Sequence, residues 1–155
     1  MDNKDTRVYK IKSYLCNIIN TLTNNRKNEI NIDFLSKNVN NYSLDKVPTE
    51  KVVRKWIYGV EIHRDVYSFK SRKEYSINEI NNLSNIGFFE QFEDAIETNN
   101  KKGILPDIDE IESIECLNPG TLISTGTNTA IFEITIQITY RKNNSKGGEV
   151  SLWKK

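Results

Sequence analysis

Residues 67–103, YSFKSRKEYSINEINNLSNIGFFEQFEDAIETNNKKG, decide the fold. The stretch predicts the end of a β-strand, a short charged turn and then the main helix. Tyr67 and Phe69 fall on one side of the strand and Ser68 and Lys70 on the other, the period-2 pattern of a half-buried strand. Ser76 supplies an N-cap oxygen, and Glu79 can reach back to the Ser76 backbone N–H, a capping box that satisfies two orphan donors. At roughly 100° per residue, Ile77, Ile80, Phe88, Phe89, Phe92, Ala95 and Ile96 share about half the helix circumference. Glu90, Glu93, Asp94 and Glu97 gather opposite. Leu83 and Ile86 leave the apolar stripe, which predicts a bend or offset near Gly87, the poorest helix former there. Lys101 and Lys102 oppose the negative end of the helix dipole, Gly103 suits the left-handed terminal position, and Pro106 prevents the helix from resuming.

Outward from this stretch, 155 residues suit one domain that buries about 70% of its unfolded surface. A hydrophobic fraction of 37% is slightly low for a compact monomer. The first turns are charged and no apolar run approaches the length of a membrane span, so the expected setting is a cytoplasm. Cys16 and Cys116 lack metal-like spacing and are expected to be buried free thiols. The net charge of +1 hides a segregation: residues 1–75 carry +6, residues 76–119 carry −8 and residues 120–155 carry +3. Either the solvated faces happen to differ, or the subunit has one acidic and one basic side suited to head-to-tail association with its own copies.

Val8, Ile11, Leu15, Ile18, Ile19 and Leu22 recur at helical spacing, with Asp5 or Thr6 as cap and Asn24-Asn25 as the end. Residues 29–35 alternate as a strand, and residues 36–50 read as a long polar loop of the functional or mobile kind. Residues 51–58 and 60–70 predict two strands joined at Gly59, or one long bent strand. Beyond the main helix, residues 104–109 are a connector, 110–117 a short strand and 118–128 a turn and loop. Residues 129–141 form the clearest strand, with Ala130, Phe132, Ile134, Ile136, Ile138 and Tyr140 on one face. The expected fold is α+β, a mainly antiparallel sheet with helices packed on one face, in the order α-β-β-β-α-β-β. Residues 143–155 form a tail whose Val150, Leu152 and Trp153 follow a Gly147-Gly148 break. Trp153 would anchor this tail on a neighbouring chain, or the tail would pack back on its own domain.

No Ser/His/Asp or Cys/His arrangement emerges, so no enzyme, no cofactor and no metal are expected. His63 reads as a solvent-facing structural residue, and the helix carboxylates read as a solvated face with no second ligand cluster. Gly120 and Gly126 lack a phosphate-loop context. Lys51, Arg54, Lys55, Arg64, Lys70, Arg72 and Lys73, interleaved with Trp56, Tyr58 and Tyr67, suggest a basic aromatic surface. Nucleic-acid readers usually carry more net positive charge.

The successive motifs YSFKSRKEY, NIGFFEQF, NNKKGILPDI and TAIFEITIQITY resemble those of phage tail terminator, or tail completion, proteins of Gram-positive phages and phage tail-like bacteriocins. The resemblance covers about residues 51–142 and rests on the order and spacing of aromatic, Gly and Pro positions. It implies a single α+β domain over residues 1–142 that closes into a homohexameric ring on the head-proximal end of the tail tube. Such a ring stops tube polymerisation and joins the tail to the neck, or caps a headless particle. Its partners would be itself, the tube protein, and sheath and neck or connector proteins, with DNA passing non-specifically and no membrane. It would be assembled in the host bacterial cytoplasm and reside in the virion. Glu90, Glu93, Asp94 and Glu97 would then meet a basic region including Arg54, Lys55, Arg72 and Lys73 on the next subunit, or line the lumen. Residues 104–109 and 118–128 would be candidates for tube contacts. A head–tail connector of the same particle and a nucleic-acid-binding regulator stand as alternatives.

Overall fold

Thr6 opens the first helix. Its hydroxyl accepts a hydrogen bond from the Tyr9 backbone N–H, after a 3-10 turn at Asn3–Asp5. This helix, α1, runs Arg7–Thr23 and ends on Asn24 in the left-handed region at φ 53°. The computed structural model describes residues 3–25, 28–75, 79–126 and 128–143. Four strands follow α1: β1 (Ile30–Ile32), β2 (Asn41–Val47), β3 (Val52–Lys55) and β4 (Val60–Glu74). Then come α2 (Glu79–Lys102), β5 (Ile111–Cys116), β6 (Thr121–Thr125) and β7 (Thr129–Asn143). The Ser76–Glu79 capping box and the stripe positions Ile77 and Ile80 fall outside the described side chains.

The class is α+β, with a mixed seven-stranded sheet. Its order is β1-β2-β4-β7-β5, with β3 also beside β4 and β6 also beside β7. The β1–β2 pair is parallel, and the other pairings are antiparallel. The spine is β4–β7, paired continuously from Val60↔Asn143 to Glu74↔Thr129. Gly59 makes the β3–β4 turn at φ 93°, so residues 51–70 hold two strands and not one bent strand.

Seven strands replace the five expected. β2 lies inside the expected polar loop and β6 inside the expected 118–128 loop. Only Tyr42 and Leu44 carry an apolar alternation through β2, and Asn, Ser, Asp and Lys mask it. Pairing with Val66–Arg72 of β4 makes it a strand and buries both side chains. β6 is exposed at every position, so it has no dry face to signal. Pairing with the β7 backbone holds it, a case of tertiary context overriding local pattern.

One core cluster unites Ile11, Leu15 and Ile19 of α1, Phe89, Phe92 and Ile96 of α2, and the inner row of β7. That row, Ala130 through Tyr140 at every second position, is the one expected from the alternation, and all six side chains are buried. Phe69 sits between Tyr42 and Phe92, with ring centroids 5.7 and 5.0 Å away. Leu83 and Ile86 are indeed off the stripe and exposed, yet α2 stays helical through Gly87. The offset therefore leaves two side chains in water without interrupting the helix. Gly103 adopts φ 75° and ends α2 as expected.

Three side-chain contacts lock α2 onto the sheet edge. Asn100 donates through its amide to the Ile114 carbonyl and accepts from the Ile114 N–H at 3.1 Å. The Gly120 N–H donates to Glu93 Oε2 at 3.0 Å. Gly120 must remain glycine for this approach, since a Cβ there would lie 2.6 Å from Phe89 Cγ.

Candidate functional site

The inner row of β4 is where the chain departs most from ordinary core composition. Glu61, His63, Asp65, Tyr67, Phe69, Ser71 and Lys73 alternate onto the core side and are all buried. The middle of the row is aromatic and both ends carry polar or charged groups. Extending the Tyr67–Phe69 alternation backward would have placed Asp65, His63 and Glu61 on this face.

Asp65 organises one end. Its carboxylate accepts from Arg7 Nε at 2.6 Å, from the Tyr67 hydroxyl at 3.2 Å and from the Tyr140 hydroxyl at 3.4 Å. Lys46 Nζ lies 3.7 Å away, and the Arg7 guanidinium sits 4.7 Å from the Tyr140 ring centre. Burial alone would raise the Asp65 pKa, but the Arg7 hydrogen bond and the charges of Arg7 and Lys46 outweigh it and hold the carboxyl below its ordinary 3.8. The Tyr67 hydroxyl is pushed well above its ordinary range by burial and by the Asp65 charge.

His63 is buried, which corrects the expected solvent-facing placement. Its Nε2 lies 2.7 Å from Glu61 Oε1, and its ring packs 5.7 Å from that of Tyr140. The reason is strand phase: His63 shares the parity of Tyr67 and Phe69.

Lys73 organises the other end. It too is buried, a correction to its expected place on a basic surface. Its ammonium donates to the Tyr42 hydroxyl at 2.9 Å and to Asn40 Oδ1 at 3.3 Å, and sits 3.8 Å from the Phe88 ring centre. Burial lowers its pKa from 10.5 to about 8. At neutral pH the protein therefore holds a charged lysine in a site that disfavours the charge. Between pH 8 and 10.5 the unfolded chain binds the proton more than the folded one, so this contribution to stability rises with pH. Buried Tyr42 and half-buried Cys116, each pushed up to about 12, act oppositely at high pH. A comparison with Lys73→Met isolates the lysine. Whatever the difference in unfolding free energy between the two proteins at pH 7, we expect it to move in favour of wild type by on the order of 2–3 kcal/mol by pH 10. A pH-independent difference in urea titrations would contradict this assignment.

Arg72 lies on the opposite face of β4 from Lys73. It is half-buried, and its Nε donates to the Ser36 carbonyl at 2.8 Å. Arg54 and Lys55 remain exposed on β3, with Arg54 5.8 Å from the Trp56 ring centre and Lys55 3.8 Å from Glu61. Lys55 pairs with Glu61 of β4, while Arg72 and Lys73 lie eleven and twelve residues further along that strand. At about 3.3 Å per residue this separates the two groups by roughly 36–40 Å. The expected basic region is therefore split between the β3 edge and, on opposite faces of the far end of β4, Arg72 and Lys73.

The acidic side is partly as expected. Glu90, Asp94 and Glu97 are exposed on α2, but Glu93 is half-buried and engaged by Gly120, so it is not free on the outer face. Glu93, Asp94, Glu97 and Asn100 face Glu115 and Cys116 of β5 across a cleft of about 300 Å³. Sequence reasoning missed Glu115, because its membership depends on β5 lying against α2. Among the described residues, no group of three or more His, Cys, Asp or Glu side chains is placed to hold a metal ion. Cys16 and Cys116 are free and half-buried. Trp153 lies outside the described residues.

On the outer face of the sheet, Asp45 pairs with Lys70 at 3.4 Å and the buried Ser68 donates to Glu133. No helix among the described residues is long and apolar enough to cross a membrane. Among the described residues the charged features include a buried polar row, an exposed basic edge at β3 and an acidic cleft between α2 and β5. No protein-family model matches the chain, and the comparison with curated proteins finds no match.

Proposed function

We propose that the chain is a structural ring subunit of the tail-terminator kind. It would form a homohexamer on the head-proximal end of a tail tube, stop tube polymerisation and join the tail to the neck or cap a headless particle. In this reading both helices cover one face of the sheet, and the subunit works by shape and charge with no bond-making step. It resides in the virion after assembly in the host bacterial cytoplasm. Tube protein and sheath or neck proteins are its neighbours, and DNA passes through the lumen without specific contacts.

The observation that carries this reading is the placement of unlike charge. Lys51, Arg54 and Lys55 are exposed on or beside β3, along one edge of the β4–β7 pair. The α2–β5 cleft with Asp94, Glu97 and Glu115 lies along the other edge. β3 pairs with β4 at Glu61–His63, whereas Glu115 and Cys116 of β5 pair with Gln137 and Ile136 of β7, level with Val66 and Tyr67 at the middle of β4, so the two flanks are offset along the sheet. A surface and its complement on opposite flanks of one subunit favour head-to-tail contacts, which close into a ring when the rotation allows.

The test is self-association measured by sedimentation. Asp94→Lys with Glu97→Lys should weaken assembly by about tenfold or more, as should Arg54→Glu with Lys55→Glu. Mixing the two variant proteins should restore mixed assemblies. A wild-type protein that stays monomeric at every concentration, alone and with tube ends, defeats the proposal. Co-purification with portal or adaptor proteins would move the subunit to the connector level.

A second reading draws on Arg54, Trp56 and Tyr58. The two rings stack at 6.3 Å beside the guanidinium, on an exposed turn that resembles a base-stacking platform. Salt-dependent binding of single-stranded DNA that is lost in Trp56→Ala would favour it.

A further inference from the structure

Three hollows run end to end along α1. The first, of about 330 Å³, is lined by Asp5, Arg7, Lys10 and Tyr140 and reaches Asn143, the last residue of β7. The second, of about 350 Å³, shares Lys10 and continues past Ser13 to Tyr14 and Asn17. The third, of about 270 Å³, shares Tyr14 and Asn17 and lies between α1, α2 and the residues after α2. Its floor is apolar, formed by Ile18, Leu22, Ala95 and Ile104, and Ile104 is 51% exposed there. Asn17, Thr21 and Asn99 form a polar rim.

The chain continues for twelve residues beyond Asn143, NSKGGEVSLWKK, which lie outside the described residues. These carry the apolar cluster Val150, Leu152 and Trp153 behind two glycines. We propose that this cluster seats in the α1–α2 groove of its own chain, with Trp153 as the anchor. Lys10 to Ile18 is about 12 Å along the helix. The ten residues from Asn143 to Trp153 span roughly 33–36 Å when extended, ample to follow the hollows. Gly147-Gly148 lets the chain turn away from the strand direction. The rim amides and hydroxyl can bond to the segment's backbone while the floor takes its apolar side chains. The proposal does not depend on the ring reading.

Trp56→Phe leaves Trp153 as the sole tryptophan of the full chain. We expect its emission to be blue-shifted and shielded from iodide relative to the free 144–155 peptide. Adding Thr21→Arg on the exposed rim, or separately Ala95→Phe on the floor, should abolish both effects while circular dichroism stays unchanged. Should either groove variant fail to fold, the other carries the test. Solvent-like emission in the Trp56→Phe protein overturns the proposal. So does a buried signal that neither groove variant changes, which would place the tail elsewhere. The last arm mixes the Trp56→Phe/Thr21→Arg chain with excess Trp56→Phe/Trp153→Phe chain. Emission that remains solvent-like supports seating within one chain, and a restored blue shift overturns it in favour of a neighbour's groove.

Discussion

Phe92→Ala is expected to cost about 3–5 kcal/mol of stability, lowering the melting temperature by roughly 6–20 °C for a domain of this size. Phe92 is fully buried, stacks on Phe69 at 5.0 Å and contacts Phe88 at 6.3 Å. Phe69 in turn stacks on Tyr42 of β2. Removing the Phe92 ring therefore opens a cavity where α2, β4 and β2 meet, and rigid neighbours on three sides prevent its collapse. Leu83→Ala on the same helix removes an apolar side chain that is 57% exposed and should change stability by no more than about 0.5 kcal/mol. Calorimetry on the two variants tests the orientation of α2. Equal losses would mean that the stripe has been assigned to the wrong face.

Asp65→Ala should cost about 2–4 kcal/mol at neutral pH. The substitution leaves the buried Tyr67 and Tyr140 hydroxyls without their acceptor and removes the partner of Arg7. Arg7 is about a third exposed and can regain water, which keeps the cost below the upper end for a buried pair. The pH dependence has a definite sign. The folded pKa of Asp65 is below its ordinary 3.8, so the carboxylate's contribution is complete above that value. It is lost as pH falls through the folded pKa. Urea titrations of both proteins should show the wild-type advantage narrowing in that acid range. An advantage that persists undiminished would show that Asp65 acts through packing alone.

The side chains at the polar ends of the β4 row carry no local signal of burial. Glu61, His63 and Lys73 are residue types that normally face water, and composition assigns them there. Their burial follows from strand parity combined with closure of neighbouring elements over them. Lys73 is satisfied by Tyr42 and Asn40, thirty-odd residues away on and beside a strand that the local pattern conceals. Likewise, Glu93 looks like one more carboxylate of an outer helix face until the turn at Gly120 folds against α2.

What local chemistry governs was legible in the sequence. The Thr6 cap, the Asn24 and Gly103 termini, the apolar face of α2 and the alternation of β7 each depend on residues within a turn or two of one another. The pairing of strands did not have that property. β2 and β6 exist because β4 and β7 offer them unpaired backbone groups, and their side chains alone would leave them as loops. The split of the basic cluster into an exposed edge and a buried lysine, and the joining of Glu115 to the α2 carboxylates, were likewise settled by contacts between segments distant in the chain. A side chain's exposure depends on what packs over it, and no local window of sequence contains that information.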